Sequence, residues 1–248
     1  MEINENTIIG QLVATDYRTA DVFRHHGIDF CCKGNRAIGQ VCTEKKLDMA
    51  PILNELHDIT ATPVCSIQTY HIWPLDQLAE HIVRKHHHYV AQKIPVLHEY
   101  LRKVCQVHGQ QHPELWQIAA LFTAAAAELT AHMEKEELIL FPRIREIVKK
   151  QEAGEYFESG AVSKVEKPIA VMMGEHDQEG ERFRKIAELS NNYTPPENAC
   201  NTYRVTYALL KEFQDDLHQH IHLENNILFP KAIAAEKTLT GSSCKIPS

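Results

Sequence analysis

The chain has 248 residues, 44% of them hydrophobic, with 10 Gly and 11 Pro, which marks a globular protein of one large domain or one medium and one small domain. A net charge of −7 argues against general binding to nucleic acid or anionic membrane, both of which need a basic surface. No apolar run reaches the roughly 18 residues of a membrane span, and no charged-then-apolar leader opens the chain, so a cytoplasmic location is expected.

Residues 1–60 read as a small helical domain. Ile8, Ile9, Leu12, Val13, Ala20, Val22 and Phe23 suggest one amphipathic helix that stops near His26-Gly27. Cys31 and Cys32 follow in a short loop, ahead of a second helical stretch over 36–59. They are either buried structural thiols, a vicinal disulfide, or a reactive dithiol that Lys33 and the next helix N-terminus shift toward thiolate. The other five of the seven Cys are scattered singly (Cys42, Cys65, Cys105, Cys200, Cys244), which fits a secreted disulfide framework poorly. Residues 61–74 are punctuated by Thr and Pro and read as a linker.

Residues 75–236 read as four long helices, followed by a frayed tail at 237–248. The first covers 75–107, with Pro95 expected to kink or break it, and its stripe of Leu78, Ile82 and Val90 carries His86. The second runs from 113 to 150 through four consecutive alanines. The third covers 166–191 and aligns Met172, His176 and Phe183. The fourth covers 197–236.

One pattern occurs twice: HMEKEELILFP at 132–142 and HIHLENNILFP at 220–230. In each copy a His precedes a Glu by four residues, giving His132 and Glu136, then His220 and Glu224. Four residues turn an α-helix by about 400°, so each pair shares one face. That face also bears Leu129, Ile139 and Leu140 in the first copy, and Leu217, Ile227 and Leu228 in the second, so it should point inward. Buried imidazole and carboxylate are costly without a partner, which a metal would supply. His86 and His176 precede the two pairs by similar distances, so two helical hairpins should form an antiparallel four-helix bundle. The inward set is then His86, His132, Glu136, His176, His220 and Glu224. Four imidazoles and two carboxylates suit two ions with both Glu bridging, and N/O donors without thiolate suit iron or manganese. His218 and His222 are read as surface groups or as groups behind the ligands, as are His81, His87, His88 and His98. Glu128 and Glu175 adjoin the ligand positions and could orient a ligand, relay protons or guide a departing ion.

The combination of DFCCKG with HMEKEELILFP, GEHDQEG and HIHLENNILFP resembles the Repair of Iron Centers family, which joins an N-terminal Cys-Cys domain to a hemerythrin-like bundle. The resemblance implies an oxo- and carboxylate-bridged pair of non-haem irons on the six residues above, with Cys31 and Cys32 as the family's paired cysteines. It implies repair of iron–sulfur proteins damaged by nitrosative or oxidative stress, by donation of iron. Two other readings stand beside it: a module that binds or senses nitric oxide or oxygen, and a di-iron nitric oxide reductase. The expected partners are damaged iron–sulfur proteins and a small diatomic ligand, with homodimer formation left open.

Overall fold

The computed structural model describes residues 3–61, 70–158 and 164–240. The N-terminal part is helical, but each expected helix is two. α1 (Ile9–Thr15) and α2 (Thr19–His25) are separated at Asp16, whose carboxylate accepts from the Arg18 backbone N–H at 3.1 Å while its carbonyl accepts from the Thr19 hydroxyl at 2.7 Å. That local turn competes with continuation of the helix. α2 ends as expected at Gly27, whose φ of 64° is left-handed and costs glycine little. α3 (Ile38–Lys45) and α4 (Met49–Ala61) are likewise split at Lys46, which adopts φ 56°.

A 3₁₀ turn at Tyr70–Ile72 leads into the first bundle rod, α5 (Leu75–Ile82) and α6 (His88–His108), joined by a π turn at Val83–His87. The interruption therefore falls at this π turn, and α6 continues across Pro95. The second rod is α7 (Glu114–Lys135) and α8 (Phe141–Ala153), joined by a π turn at Glu136–Leu140. The third is α9 (Glu166–Leu189). The fourth is α10 (Asn201–Leu223) and α11 (Phe229–Thr240), joined by a π turn at Glu224–Leu228. α11 thus runs past the expected end at 236, and Leu239 is buried.

α6 packs on α7, α7 on α9, α9 on α10 and α10 on α6, which closes a four-helix ring. Its apolar interior forms two clusters. One contains Leu78, Ile82, Phe141, Ile169 and Phe229. The other contains Leu97, Phe122, Phe183, Phe213 and Leu217, and is continuous with Ile9, Phe23 and Phe30 of the N-terminal helices. The small unit therefore docks on its own bundle. Gly10 makes the close approach: a Cβ there would lie 2.2 Å from the Asn226 Oδ1.

This docking buries His222, which rules out the surface alternative for it. Its ring lies 5.7 Å from Tyr17 and 6.0 Å from Phe30, and burial pushes its pKa down to about 3. His218 is half-buried beside Phe30, at 6.0 Å. His81 packs half-buried on Tyr70 and Trp73, and His98 on Phe122. His88 is exposed, and its Nδ1–H bonds the Val83 carbonyl at 3.1 Å, which also accepts the His88 backbone N–H.

Ile139 also departs from expectation. It is 61% exposed, whereas Leu140 is 2% exposed. A π turn holds one more residue than an α turn, so it rotates Ile139 outward and brings Leu140 in. The equivalent turn at 224–228 is covered by α1, and there Ile227 is buried.

Candidate metal centre

Between the two apolar clusters lies a polar layer. Two groups of side chains each bring four potential ligand atoms within 4.8 Å of one another: His87, Glu136, His220 and Glu224 in one, and His132, Glu136, His176 and Glu224 in the other. Glu136 and Glu224 belong to both. The i,i+4 geometry behaves as the repeat implies: His132 Nε2 lies 3.5 Å from Glu136, and His220 Nε2 lies 3.0 Å from Glu224.

His87, and not His86, completes the first group. From Leu78 and Ile82 an uninterrupted α-helix would carry His86 inward, but the π turn at 83–87 moves that position on by one residue. His87 Nε2 reaches Glu136 at 3.4 Å. His86 is buried to one side, stacked on His220 at 5.4 Å, with its Nδ1 3.0 Å from Asp216. The spacing held a signal: His87 to His132 matches His176 to His220 more closely than His86 to His132 does.

The outward ring nitrogens show how the imidazoles are held. His87 Nδ1–H donates to Glu137 at 2.7 Å, His132 Nδ1–H to Glu175 at 2.7 Å, and His176 Nδ1–H to Asn225 at 2.9 Å. Each bond fixes the tautomer that leaves Nε2 free to face the interior. Glu175 thus touches His132 across the helix pair, and it also accepts from Lys135. Glu137 and Asn225 were not anticipated from the sequence. Glu128 lies outside this layer: it is exposed and bonded to Arg182 at 2.8 Å.

The electrostatics suit a cation. Glu136 is fully buried, and neither carboxylate oxygen has a hydrogen-bond partner. Burial, then the neighbouring Glu224, push its pKa up to about 7. Burial acts to raise Glu224 too, but His220 and His176 outweigh it and hold that carboxyl below its ordinary value. Burial pushes His132 down to about 4. His87 Nε2 and His220 Nδ1 are likewise buried and unpartnered. Orphaned N and O atoms around two shared carboxylates are the donor set of a paired-metal site, and without thiolate they fit iron.

Glu179, one turn beyond His176 on α9, adds a buried carboxyl. It is 3% exposed, bonds Arg182, leaves Oε2 unpartnered, and is pushed up to about 7 mainly by burial. A carboxyl with a raised folded-state pKa costs stability once pH exceeds its unfolded value, and the full cost is reached above the folded value. Glu179→Gln should therefore stabilise the metal-free protein at pH 8 by about 2 kcal/mol. The gain should vanish near pH 4.5, as chemical denaturation at the two pH values would record.

The dithiol sits against this layer. The Cys32 thiol donates to the His176 carbonyl at 3.3 Å, and Gly180, lacking a side chain, makes room for it, since a Cβ there would stand 3.1 Å from the sulfur. Asn225, which accepts from His176, also donates to the Cys31 carbonyl at 3.3 Å. Cys31 and Cys32 are free thiols with Sγ atoms 3.7 Å apart. The surroundings of Cys31 act against the thiolate reading of the pair. Its thiol is pushed well up by the Cys32 contact, by burial and by Asp29, while Lys33 turns to Glu181 at 3.6 Å. Cys42 and Cys105 are buried free thiols and Cys200 an exposed one; Cys65 and Cys244 lie outside the described residues.

Fold and site together define a helical bundle built to bind a pair of cations. The chain belongs to the hemerythrin HHE cation-binding family, whose domain matches residues 78–232; a domain of unknown function (DUF542) matches residues 5–60. It is similar along almost its whole length to curated relatives. An iron-sulfur cluster repair protein YtfE of Cronobacter sakazakii is 36% identical over 229 residues, covering 92% of this chain and 97% of the relative. Proteins of the same name are 36% identical over 231 residues in Yersinia pestis and Yersinia pseudotuberculosis, covering 93% of this chain and 98% of each relative. Among the described residues no helix is long and apolar enough to cross a membrane.

Proposed function

We propose that this chain repairs damaged iron–sulfur clusters by releasing iron from the bundle to a client through the dithiol loop. The residues that would hold the metal pair are His87, His132, Glu136, His176, His220 and Glu224, with Glu136 and Glu224 common to both groups. Iron held there would be the cargo delivered to the client. The chain supplies the rest. Glu137, Glu175 and Asn225 hold three imidazoles by Nδ1, the apolar clusters exclude bulk water, and the carboxylates offset the cationic charge.

The observation that carries this reading is the bond from the Cys32 thiol to the carbonyl of His176. A soft sulfur pair lies against one residue of a hard N/O site, the juxtaposition that a hand-over of metal needs. The names of the relatives agree with it. The compartment we infer is the cytoplasm, and the partners are iron–sulfur proteins with damaged clusters. Incubating a cluster-damaged client with metal-loaded or metal-free protein tests the reading. Metal-loaded protein should restore the client, and the Cys31→Ser, Cys32→Ser double variant should be at least ten-fold slower at unchanged iron content. Equal recovery with the metal-free protein would sink it. Nitric oxide turnover by the double variant at the wild-type rate would favour a reductase instead.

Asn225 ties the two parts together, because one amide bonds both His176 and the Cys31 carbonyl. Alkylation of Cys31 and Cys32 should therefore differ several-fold between metal-loaded and metal-free wild type. In Asn225→Leu that difference should shrink to less than two-fold, as mass spectrometry of timed alkylation would show.

A further inference from the structure

A further group of metal-type donors lies on the N-terminal unit and shares no residue with the polar layer of the bundle. His25, His26 and Glu55 bring three potential ligand atoms within 4.8 Å of one another. His26 Nε2 stands 3.0 Å from Glu55 Oε1, and His25 Nδ1 stands 3.8 Å from Glu55 Oε2. The two rings are 5.0 Å apart and tilted by 40°. Each imidazole thus faces its own oxygen of one carboxylate. A hydrogen bond accounts for the first distance, but the second is too long for one. Two ligands about 2.0–2.1 Å from a tetrahedral ion stand roughly 3.3 Å apart, a value that the two distances bracket.

The donors project from backbone that packing holds in place. α2 packs on α4, and Phe23, Ile52 and Leu56 beside the donors are fully buried. Consecutive residues of an unbroken α-helix diverge by about 100°, which would keep two adjacent imidazoles apart. His26 escapes that geometry because it ends α2, with ψ 10°. The turn is fixed by two bonds, from the Gly27 N–H to the Arg24 carbonyl at 3.0 Å and from the Ile28 N–H to the Phe23 carbonyl at 2.8 Å. Arg24, next in the chain, is engaged elsewhere, with Asp21 at 2.9 Å and Asp215 at 3.6 Å. It therefore does not neutralise Glu55. Two imidazoles and one carboxylate suit a divalent transition-metal ion, whereas Mg²⁺ and Ca²⁺ favour oxygen ligands throughout. In the usual affinity order such a set holds zinc more tightly than ferrous iron.

We propose that His25, His26 and Glu55 form a surface site for an exchangeable divalent cation of the zinc class. Three protein ligands leave a coordination position open, and the side chains of His25 and Glu55 are 76% and 42% exposed, so water completes the shell. A closed structural site would have four protein ligands and no such access. The ion ties the last turn of α2 to α4, at the root of the loop that carries Cys31 and Cys32. The site stands apart from the iron chemistry of the bundle and does not depend on how that chemistry proceeds.

Zinc is the probe. The full-length, iron-loaded Cys31→Ser, Cys32→Ser variant, in which no dithiol competes, is titrated with Zn²⁺ by calorimetry and then analysed for both metals. One zinc per chain should bind in a saturable event with the iron retained. Adding His25→Ala or Glu55→Gln should weaken that event at least ten-fold, because each removes one of three donors. His57→Ala, at an exposed position on the same helix as Glu55, should stay within two-fold. Without zinc the circular dichroism and thermal midpoint of both donor variants should match those of the parent, which separates a lost site from a lost fold. Excess Mg²⁺ should not displace the zinc. Wild-type crystals soaked in Zn²⁺ and measured at the zinc absorption edge should show a peak within ligand distance of all three residues. Absence of saturable zinc binding, equal affinity in His25→Ala and Glu55→Gln, displacement by Mg²⁺, or zinc uptake only in exchange for iron overturns the proposal.

Discussion

Glu136→Gln should lose half or more of its bound iron and yet make the metal-free protein more stable. The two effects share one cause. Glu136 is wholly buried, neither oxygen accepts a hydrogen bond, and its pKa is pushed up to about 7 by burial and by Glu224, with His87 opposing. Without a cation its charge is a liability: unfolding lets the carboxyl return to its ordinary value near 4.5. The cost begins as pH rises above that value and is complete above about 7, so at pH 8 the neutral amide should stabilise the metal-free fold by about 3 kcal/mol. At pH 4 the two proteins should be alike. With metal the sign reverses, because Glu136 is shared between the two ligand groups and an amide is a poor bridge. Iron per chain should fall from two to one or fewer. Thermal or denaturant unfolding of metal-free protein, paired with iron analysis of loaded protein, checks both halves. An unaltered iron ratio contradicts the bridge, and a less stable metal-free variant contradicts the strain.

His87→Ala should cost one iron per chain, while His86→Ala should keep both. The two residues are adjacent and both buried, so side-chain volume alone does not distinguish them. Geometry does. His87 Nε2 stands 3.4 Å from Glu136 with its Nδ1 satisfied by Glu137, whereas His86 bonds Asp216 outside both ligand groups. Removing one of two imidazoles from a four-donor group should weaken that ion's binding by orders of magnitude, whereas loss of a residue behind the ligands typically costs 10- to 100-fold. Metal analysis after dialysis against a weak chelator separates the two cases. Equal losses in both variants would falsify the assignment of His87.

These two adjacent residues mark where the sequence stops being legible. The repeated His-x-x-x-Glu pattern with its shared Leu-Phe-Pro identifies the bundle and four of the six inward groups, because helical periodicity alone places i and i+4 on one face, and the matching spacing between the halves adds His176. The sixth depends on a π turn. A π turn is a one-residue change of register, and nothing in the composition of VRKHH separates it from an α turn. The same device turned Ile139 outward. The N-terminal breaks at Asp16 and Lys46 were written in local chemistry, a side chain competing for the backbone and a left-handed residue, signals weaker than an apolar stripe. Docking of that unit on the bundle is a long-range fact. It buries His222, sets Asn225 and Asn226 under the Cys31 loop, and gives Cys32 a partner on α9. No window of consecutive residues carries that information.

Crystals of the iron-loaded protein measured at the iron absorption edge test the central claim most directly. The account predicts two anomalous peaks, roughly 3.5 Å apart as in other two-metal sites. Each should lie within ligand distance of both Glu136 and Glu224, one beside His87 and His220 and the other beside His132 and His176. A single peak, or one coordinated by His86 in place of His87, would contradict it.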